Sequence, residues 1–149
     1  MRILRTDSTH QDFRRLVQQL DAYLAEIDGK DHPYYAKFNT IDSLKHVVVV
    51  YENDMPVGCG AMKQHAVDTV EIKRMYTTPE SRGKGVATGV LRELETWAAE
   101  LSYKRCILET GKRQKEAVSL YTRSGYNIIP NYGQYAGMDN SVCFERRLK

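Results

Sequence analysis

Val70-Glu71-Ile72-Lys73-Arg74-Met75-Tyr76-Thr77 alternates in the manner of a strand. Pro79 and Arg82-Gly83-Lys84-Gly85 interrupt it, and Val86, Val90, Leu91, Leu94, Trp97, Ala98 and Leu101 then recur at 3.6-residue spacing. A strand that turns through glycines into a long amphipathic helix requires a sheet with that helix laid across one face. It also leaves the unpaired N–H groups of the first helical turn at the mouth of the loop.

The flanking sequence extends this unit in both directions. Arg2–Thr6 reads as a short strand. Ser8 and Gln11 then stand in capping-box spacing ahead of a helix marked by Phe13, Leu16, Val17, Leu20, Leu24 and Ile27 and closed by Gly29. Asp31–Asn39 reads as irregular. Val47–Tyr51 and Val57–His65 flank Glu52-Asn53-Asp54, and together with Val70–Thr77 they predict a three-stranded meander. Beyond the second long helix, Arg105–Thr110 predicts a strand, Gln114–Ser124 a helix ending at Gly125, and Tyr126–Ile129 and Val142–Leu148 two further strands. The order β-α-β-β-β-α-β-α-β-β predicts an α/β (α+β) fold: a mixed, mostly antiparallel sheet of six to seven strands with helices on both faces.

No repeat, low-complexity tract or Pro/Gly-rich linker divides the 149 residues, so residues 1–149 are expected to form a single domain. The longest aliphatic run, Val47–Val50, is far shorter than the roughly 20 residues a membrane helix needs, and charged residues crowd Met1–Asp12. Neither a membrane partner nor a signal peptide is expected. Cys59, Cys106 and Cys143 are odd in number and each falls within a predicted strand, which suits buried free thiols in a reducing cytoplasm. None has a neighbour that would activate it as a nucleophile, and His10, His32, His46 and His65 show no metal-ligand spacing, so no metal is expected.

Net charge is +3, and the excess lies in residues 72–123, which hold 11 basic against 6 acidic side chains. That is too modest for a nucleic-acid surface but suits a compact polyanion such as a pyrophosphate. The glycine turn is where such an anion would sit. Gly83 and Gly85 remove the Cβ atoms that would hold it away, Arg82 and Lys84 supply charge, and the N–H groups of Val86, Ala87 and Thr88 open the helix. Neither G-x-x-x-x-G-K-[ST] nor G-x-G-x-x-G is present, which disfavours the P-loop and dinucleotide folds. On its own, Arg-Gly-Lys-Gly also reads as an ordinary solvated turn.

With that context the chain resembles the GNAT superfamily of N-acetyltransferases. The family signature Q/R-x-x-G-x-G/A reads here as Arg82-Gly83-Lys84-Gly85-Val86-Ala87, and Gln114, Ala117, Leu120, Tyr121, Gly125 and Tyr126 match its N-x-x-A-x-x-L-Y-x-x-x-G-F segment. Gln114 stands where Asn is usual and Tyr126 where Phe is frequent. The resemblance implies acetyl-CoA as cosubstrate. Met75, Tyr76 and Thr77 would lie along the thioester and pantetheine arm, Arg82 to Thr88 around the pyrophosphate, and Gln114, Ala117 and Tyr121 on the far side. It implies direct transfer in a ternary complex, with the Met75 N–H facing the oxyanion, Tyr121 as general acid, and Glu71 as the base that some members carry on this strand.

Read from the residues alone, Glu71 is equally a strand carboxylate paired with Lys73, and Tyr121 a core aromatic. Alternation places Glu71, Lys73 and Met75 on one face. The family grips its acceptor through the segment after the first helix and the connection between the last two strands. That points to Tyr34, Tyr35, Asn39, Tyr132, Gln134 and Tyr135, with Lys73 or Arg74 facing a carboxylate. The expected acceptor is a small-molecule primary amine, amino-acid-like in character. A peptide N-terminus or lysine and a non-catalytic CoA sensor are the alternatives. Tyr132–Glu145 is similar to the same region of small bacterial acetyltransferases, whose substrates are mostly unassigned, and the family's habit of pairing through exposed edges leaves a homodimer open.

Overall fold

The computed structural model describes residues 1–36 and 44–149. Seven strands form one sheet: β1 (Arg2–Thr6), β2 (His46–Glu52), β3 (Met55–Ala66), β4 (Thr69–Thr77), β5 (Arg105–Gly111), β6 (Asn127–Ile129) and β7 (Ser141–Arg147), in the order β1-β2-β3-β4-β5-β7-β6. Every neighbouring pair is antiparallel except β4 and β5, which run parallel. The expected mixed sheet is therefore present, and its strands lie within a residue or two of their sequence positions.

Helices α1 (Gln11–Asp28), α3 (Val86–Glu100) and α4 (Lys115–Arg123) bury apolar stripes against the sheet. The alternating aliphatics of β2 divide between its two faces. Val48 and Val50 pack with Val90, Leu91 and Leu94 of α3, whereas Val47 and Val49 pack with Phe13, Leu16 and Val17 of α1. Phe13, Val47 to Val50, Val90, Leu91 and Leu94 are all fully buried, so the core is two layers deep with the sheet between them.

Two local expectations are corrected. The capping box from Ser8 does not form: Ser8 is buried, its N–H donates to the Leu44 carbonyl at 2.9 Å, and α1 begins after His10, whose Nδ1 accepts from the Asp12 N–H at 3.2 Å. The stretch from Asp31 is not irregular at its start. A 3-10 turn at Gly29–Asp31 leads into a short helix, α2 (His32–Ala36), with Pro33 in its first turn, where the missing N–H has no partner to lose. The remainder of that stretch lies outside the described residues.

At β4 the ladder carries a bulge. Cys59 and Ala61, two residues apart on β3, face Tyr76 and Lys73, three apart on β4, and Arg74 adopts φ +58°. The extra residue resets the alternation. Glu71 and Lys73 stay on one face, while Met75 turns to the other and joins Val90 and Leu94 beneath α3. The expectation that Glu71, Lys73 and Met75 share a face is thereby overturned.

This interlock depends on Gly60, where a Cβ would lie 2.6 Å from Met75 Sδ and 2.7 Å from Val90 Cγ1. A Gly60→Ala substitution restricts the unfolded chain, a gain of about 0.4–1 kcal/mol, but overpacks the core at a cost of about 1–3 kcal/mol. We expect net destabilisation, read as a lowered Tm in thermal melts. An unchanged or raised Tm would show that the contact relaxes freely.

Candidate active site

The parallel pairing of β4 with β5 lasts for three residue pairs, from Thr69↔Arg105 to Glu71↔Ile107. Beyond that the strands part, and two clefts meet in the gap. The larger, of about 760 Å³, runs between the loop ahead of α3 and the start of α4. All the residues assigned to the donor by sequence line it except Lys84, which is exposed outside it.

Gly83 and Gly85 have φ of +77° and +84°, conformations in which a Cβ is strained, so these glycines let the loop turn back into the helix. Gly85 is the N-cap of α3, and Val86, Ala87 and Thr88, whose N–H groups open the helix, line the cleft. Arg82 donates from Nε to the Thr77 carbonyl at 3.1 Å, and its guanidinium lies over the rings of Tyr23 and Tyr76 at 5.4 and 5.9 Å. A cation fixed in this way at a helix N-terminus suits a pyrophosphate.

The smaller cleft, of about 100 Å³, shares Leu20, Met75, Gln114, Ala117 and Tyr121 with the larger, so the two meet at these side chains. Of the residues named for the acceptor by sequence, Tyr35, Lys73, Arg74 and Tyr135 line it, and so do Asp28, Glu71 and Glu109. Tyr34, Tyr132 and Gln134 stand one layer behind. Tyr34 donates its hydroxyl to the Gln134 carbonyl, and Tyr132 packs against Tyr135 and donates to Glu71 Oε2 at 2.7 Å. Asn39 lies outside the described residues.

The ionisable groups here are largely paired. Glu71 accepts from Tyr132 and has Lys73 Nζ 3.8 Å from its other oxygen. Arg74, nearly enclosed, is paired with Asp21 of α1. Burial lowers the Lys73 pKa, with Glu71 opposing the shift. Burial also raises Asp28. The Tyr121 hydroxyl is pushed above its ordinary range by enclosure and by the Glu109 charge, so it stays protonated at neutral pH. Its ring packs against Tyr126 and Phe144. Tyr121 is therefore both a core aromatic and part of the cleft lining.

Glu109 is the residue the sequence reading missed. It sits on β5, facing Cys143 of β7, and accepts from Ser141 Oγ at 2.8 Å. Burial, opposed by that bond and reinforced by Asp28 and Glu71, pushes its carboxyl up to about 7. The available signal was a lone acidic residue inside an aliphatic strand that leads to the Gln114 helix.

Cys59, Cys106 and Cys143 are buried free thiols, and burial pushes them up to about 12, 12 and 11, so they remain protonated. Among the described residues no group of three His, Cys, Asp or Glu is placed to hold a metal ion, and no helix is long and apolar enough to cross a membrane.

This architecture has relatives. The acetyltransferase (GNAT) family matches residues 11–126, and the chain belongs to that family. It is 27% identical over 139 residues to the IAA acetyltransferase of Azospirillum brasilense, covering 90% of this chain and 89% of that one. To the uncharacterized N-acetyltransferase YsnE of Bacillus subtilis it is 34% identical over 100 residues, 66% of each chain. Among solved structures, a Klebsiella pneumoniae protein proposed to be an acyl-CoA N-acyltransferase superposes with a TM-score of 0.83 at 28% identity, covering 99% of this chain and 97% of that one. The PaiA N-acetyltransferase of Thermoplasma acidophilum, solved with coenzyme A, shares the fold with a TM-score of 0.69 at 15% identity, covering 98% of both chains. The chain is accordingly an N-acetyltransferase of the GNAT class, for which acetyl-CoA is the acyl donor.

The Glu109 carboxyl has a direct consequence for stability. Its folded value of about 7 lies above the ordinary 4.5, so folding is unaffected below about pH 4.5, loses stability as pH rises between these values, and bears the whole penalty above pH 7. At 1.36 kcal/mol per unit the penalty is on the order of 3 kcal/mol. Glu109→Gln removes the charge, so its Tm should rise relative to wild type between pH 4 and 8. A Tm difference that does not change with pH would refute the shift.

Proposed function

We propose that this protein transfers an acetyl group directly from acetyl-CoA to the primary amine of a small, amino-acid-like molecule, with no covalent enzyme intermediate. The observation carrying this reading is the pair of clefts that meet between β4 and β5. One offers helix-opening amides and Arg82 to a polyanion, the other offers carboxylates to an amine, and Tyr121 stands where they meet. Positioning two reactants at that junction supplies much of the catalytic effect of an acyl transfer without an enzyme nucleophile, and the protonated, buried cysteines offer none.

In the proposed sequence the acceptor ammonium gives up one proton to a carboxylate of the smaller cleft. The neutral nitrogen then forms a bond to the thioester carbon. The Met75 N–H, in the bulged segment of β4, faces the developing oxyanion. As the C–S bond breaks, Tyr121 gives its hydroxyl proton to the thiolate, and the proton leaving the nitrogen restores the phenol. The products are the amide, free CoA and one proton. Glu71, fixed by Tyr132 and Lys73, orients the amine, and Lys73 reaches toward an acceptor carboxylate. The volume of about 100 Å³ admits a small amine-bearing group. Three buried free thiols suit a reducing cytoplasm.

Thiol release from acetyl-CoA, measured against amino acids, polyamines, aminoglycosides and short peptides, tests the reading. Turnover is expected with one class of free amine, and Tyr121→Phe should lower kcat about 10²-fold or more while acetyl-CoA still raises the Tm. Turnover with peptides alone overturns the small-molecule acceptor. Undiminished kcat in Tyr121→Phe overturns the role of the acid.

A further inference from the structure

Asp28, Glu71 and Glu109 all line the acceptor cleft, and the two carboxylates carried by the strands of the gap differ in their surroundings. Glu71 has Tyr132 on one oxygen and Lys73 beside the other, and it is 8% exposed. Glu109 receives one hydroxyl, from Ser141, and its carboxyl lines the acceptor cleft. Ser141 Oγ also lies 2.8 Å from the Tyr35 hydroxyl. Because a serine has one proton and gives it to the ionised Glu109, Tyr35 must donate to Ser141, which sets the direction of the chain Tyr35 to Ser141 to Glu109. When Glu109 takes a proton the chain can reverse, with Glu109 donating to Ser141 and Ser141 to Tyr35. Both protonation states are then hydrogen-bonded, as a group that cycles between them requires.

We propose that Glu109, positioned by the Ser141–Tyr35 hydrogen-bond chain, is the general base that removes the proton from the acceptor ammonium, and that Glu71 is the carboxylate that orients it. This rests on the amine acetyltransfer proposed above. In the step itself an N–H bond of the ammonium breaks, its electron pair stays on nitrogen, and the proton goes to a Glu109 oxygen, from which it passes to solvent once the amide has formed. The titratable and polar groups facing Glu109 are Asp28 from α1, Tyr35 from α2, Glu71 and Lys73 from β4, Tyr121 from α4, Tyr135 from the turn before β7, and Ser141 and Cys143 from β7. Asp28 and Glu71 raise its affinity for the proton, while Lys73 and Ser141 lower it. The balance sets its carboxyl near 7, where a base works efficiently at neutral pH.

The test is the pH dependence of kcat and kcat/KM for wild type, Glu109→Gln, Glu71→Gln and Ser141→Ala, using the amine that the acceptor panel identifies. Wild type should show an acidic limb near pH 7. In Glu109→Gln that limb should vanish and kcat fall about 10²–10⁴-fold, with activity climbing toward high pH as the amine loses its own proton. Glu71→Gln should keep the limb and mainly raise KM for the amine. Ser141→Ala should move the limb upward, since it removes a bond that favours the ionised form, a shift that a merely structural role would not produce. Carboxyl ¹³C NMR titration of the unliganded protein gives a readout independent of turnover, in which a resonance titrating near pH 7 should disappear in Glu109→Gln. Retention of the limb in Glu109→Gln with its loss in Glu71→Gln overturns the assignment, as does a Glu109 resonance titrating near 4.5. Failure of the underlying acetyltransfer reading looks different: wild type itself would release no thiol with any amine.

Discussion

Parallel pairing between β4 and β5 ends at Glu71↔Ile107, and the rest of the molecule is arranged around that ending. A sheet gains by continuing its ladder, so two neighbours part only if something else occupies or diverts them. Here the bulge at Arg74 turns β4 aside, while β5 continues in register with β7 as far as Gly111↔Ser141. Helices on both sides hold the divergence. Leu20 of α1 reaches both clefts, Val86 at the start of α3 sits against Gly58, and α4 begins at Gln114 on the β5 side. The gap is thus a property of the backbone, and the side chains within it inherit their positions from two strands that point apart.

Such a gap places charged groups in poorly solvated surroundings, where an unpaired ion is costly. The structure answers mostly by pairing. Arg74, turned inward by the bulge, meets Asp21 across from α1, and Glu71 is shared between Tyr132 and Lys73. The Arg74–Asp21 and Tyr132–Glu71 contacts each link β4 to a segment that covers the gap, so contacts that satisfy charge also fix the walls, while Lys73 meets Glu71 within the strand itself. The tyrosines extend this to the loop before β7. Tyr132, Tyr135 and Tyr35 pack on one another and aim two of their hydroxyls at Glu71 and, through Ser141, at Glu109.

How much of this could be read from residues alone follows from how local each cause is. The glycine turn, the α3 and α4 stripes and the meander are set by periodicities within about ten residues, and they were legible. So was Tyr121, whose spacing from Gln114 and Gly125 is fixed within one helix. The Arg74 bulge was not: its positive φ falls on a residue with no special tolerance for that conformation, and it shifted Met75 to the opposite face from the one that simple alternation assigns. The start of α1 was misread because Ser8, a good cap by type, is held by the Leu44 carbonyl from a distant segment. Glu109 escaped notice because its partner Ser141 lies 32 residues further on, in a strand that pairs with β5 only in three dimensions.

Burial alone does not single out Glu109, because Glu95 in α3 is also buried and is also held above its ordinary value by that burial. The two differ in how they are satisfied and in what they face. Glu95 accepts from Arg92 at 2.7 Å, Arg146 at 2.9 Å and Tyr126 at 2.7 Å, which ties α3 to β7 and to the residue ahead of β6, and neither cleft reaches it. A carboxylate with three donors, two of them cationic, gains nothing from exchanging its proton and serves as a structural tie. Glu109 has one neutral donor, two carboxylates nearby with only Lys73 to offset them, and a place in the lining of the acceptor cleft. Its charge is therefore incompletely compensated by the protein itself. An ammonium ion entering the cleft, as proposed, would supply the missing partner and, on giving up its proton, would leave both itself and Glu109 neutral, which an enclosed site favours.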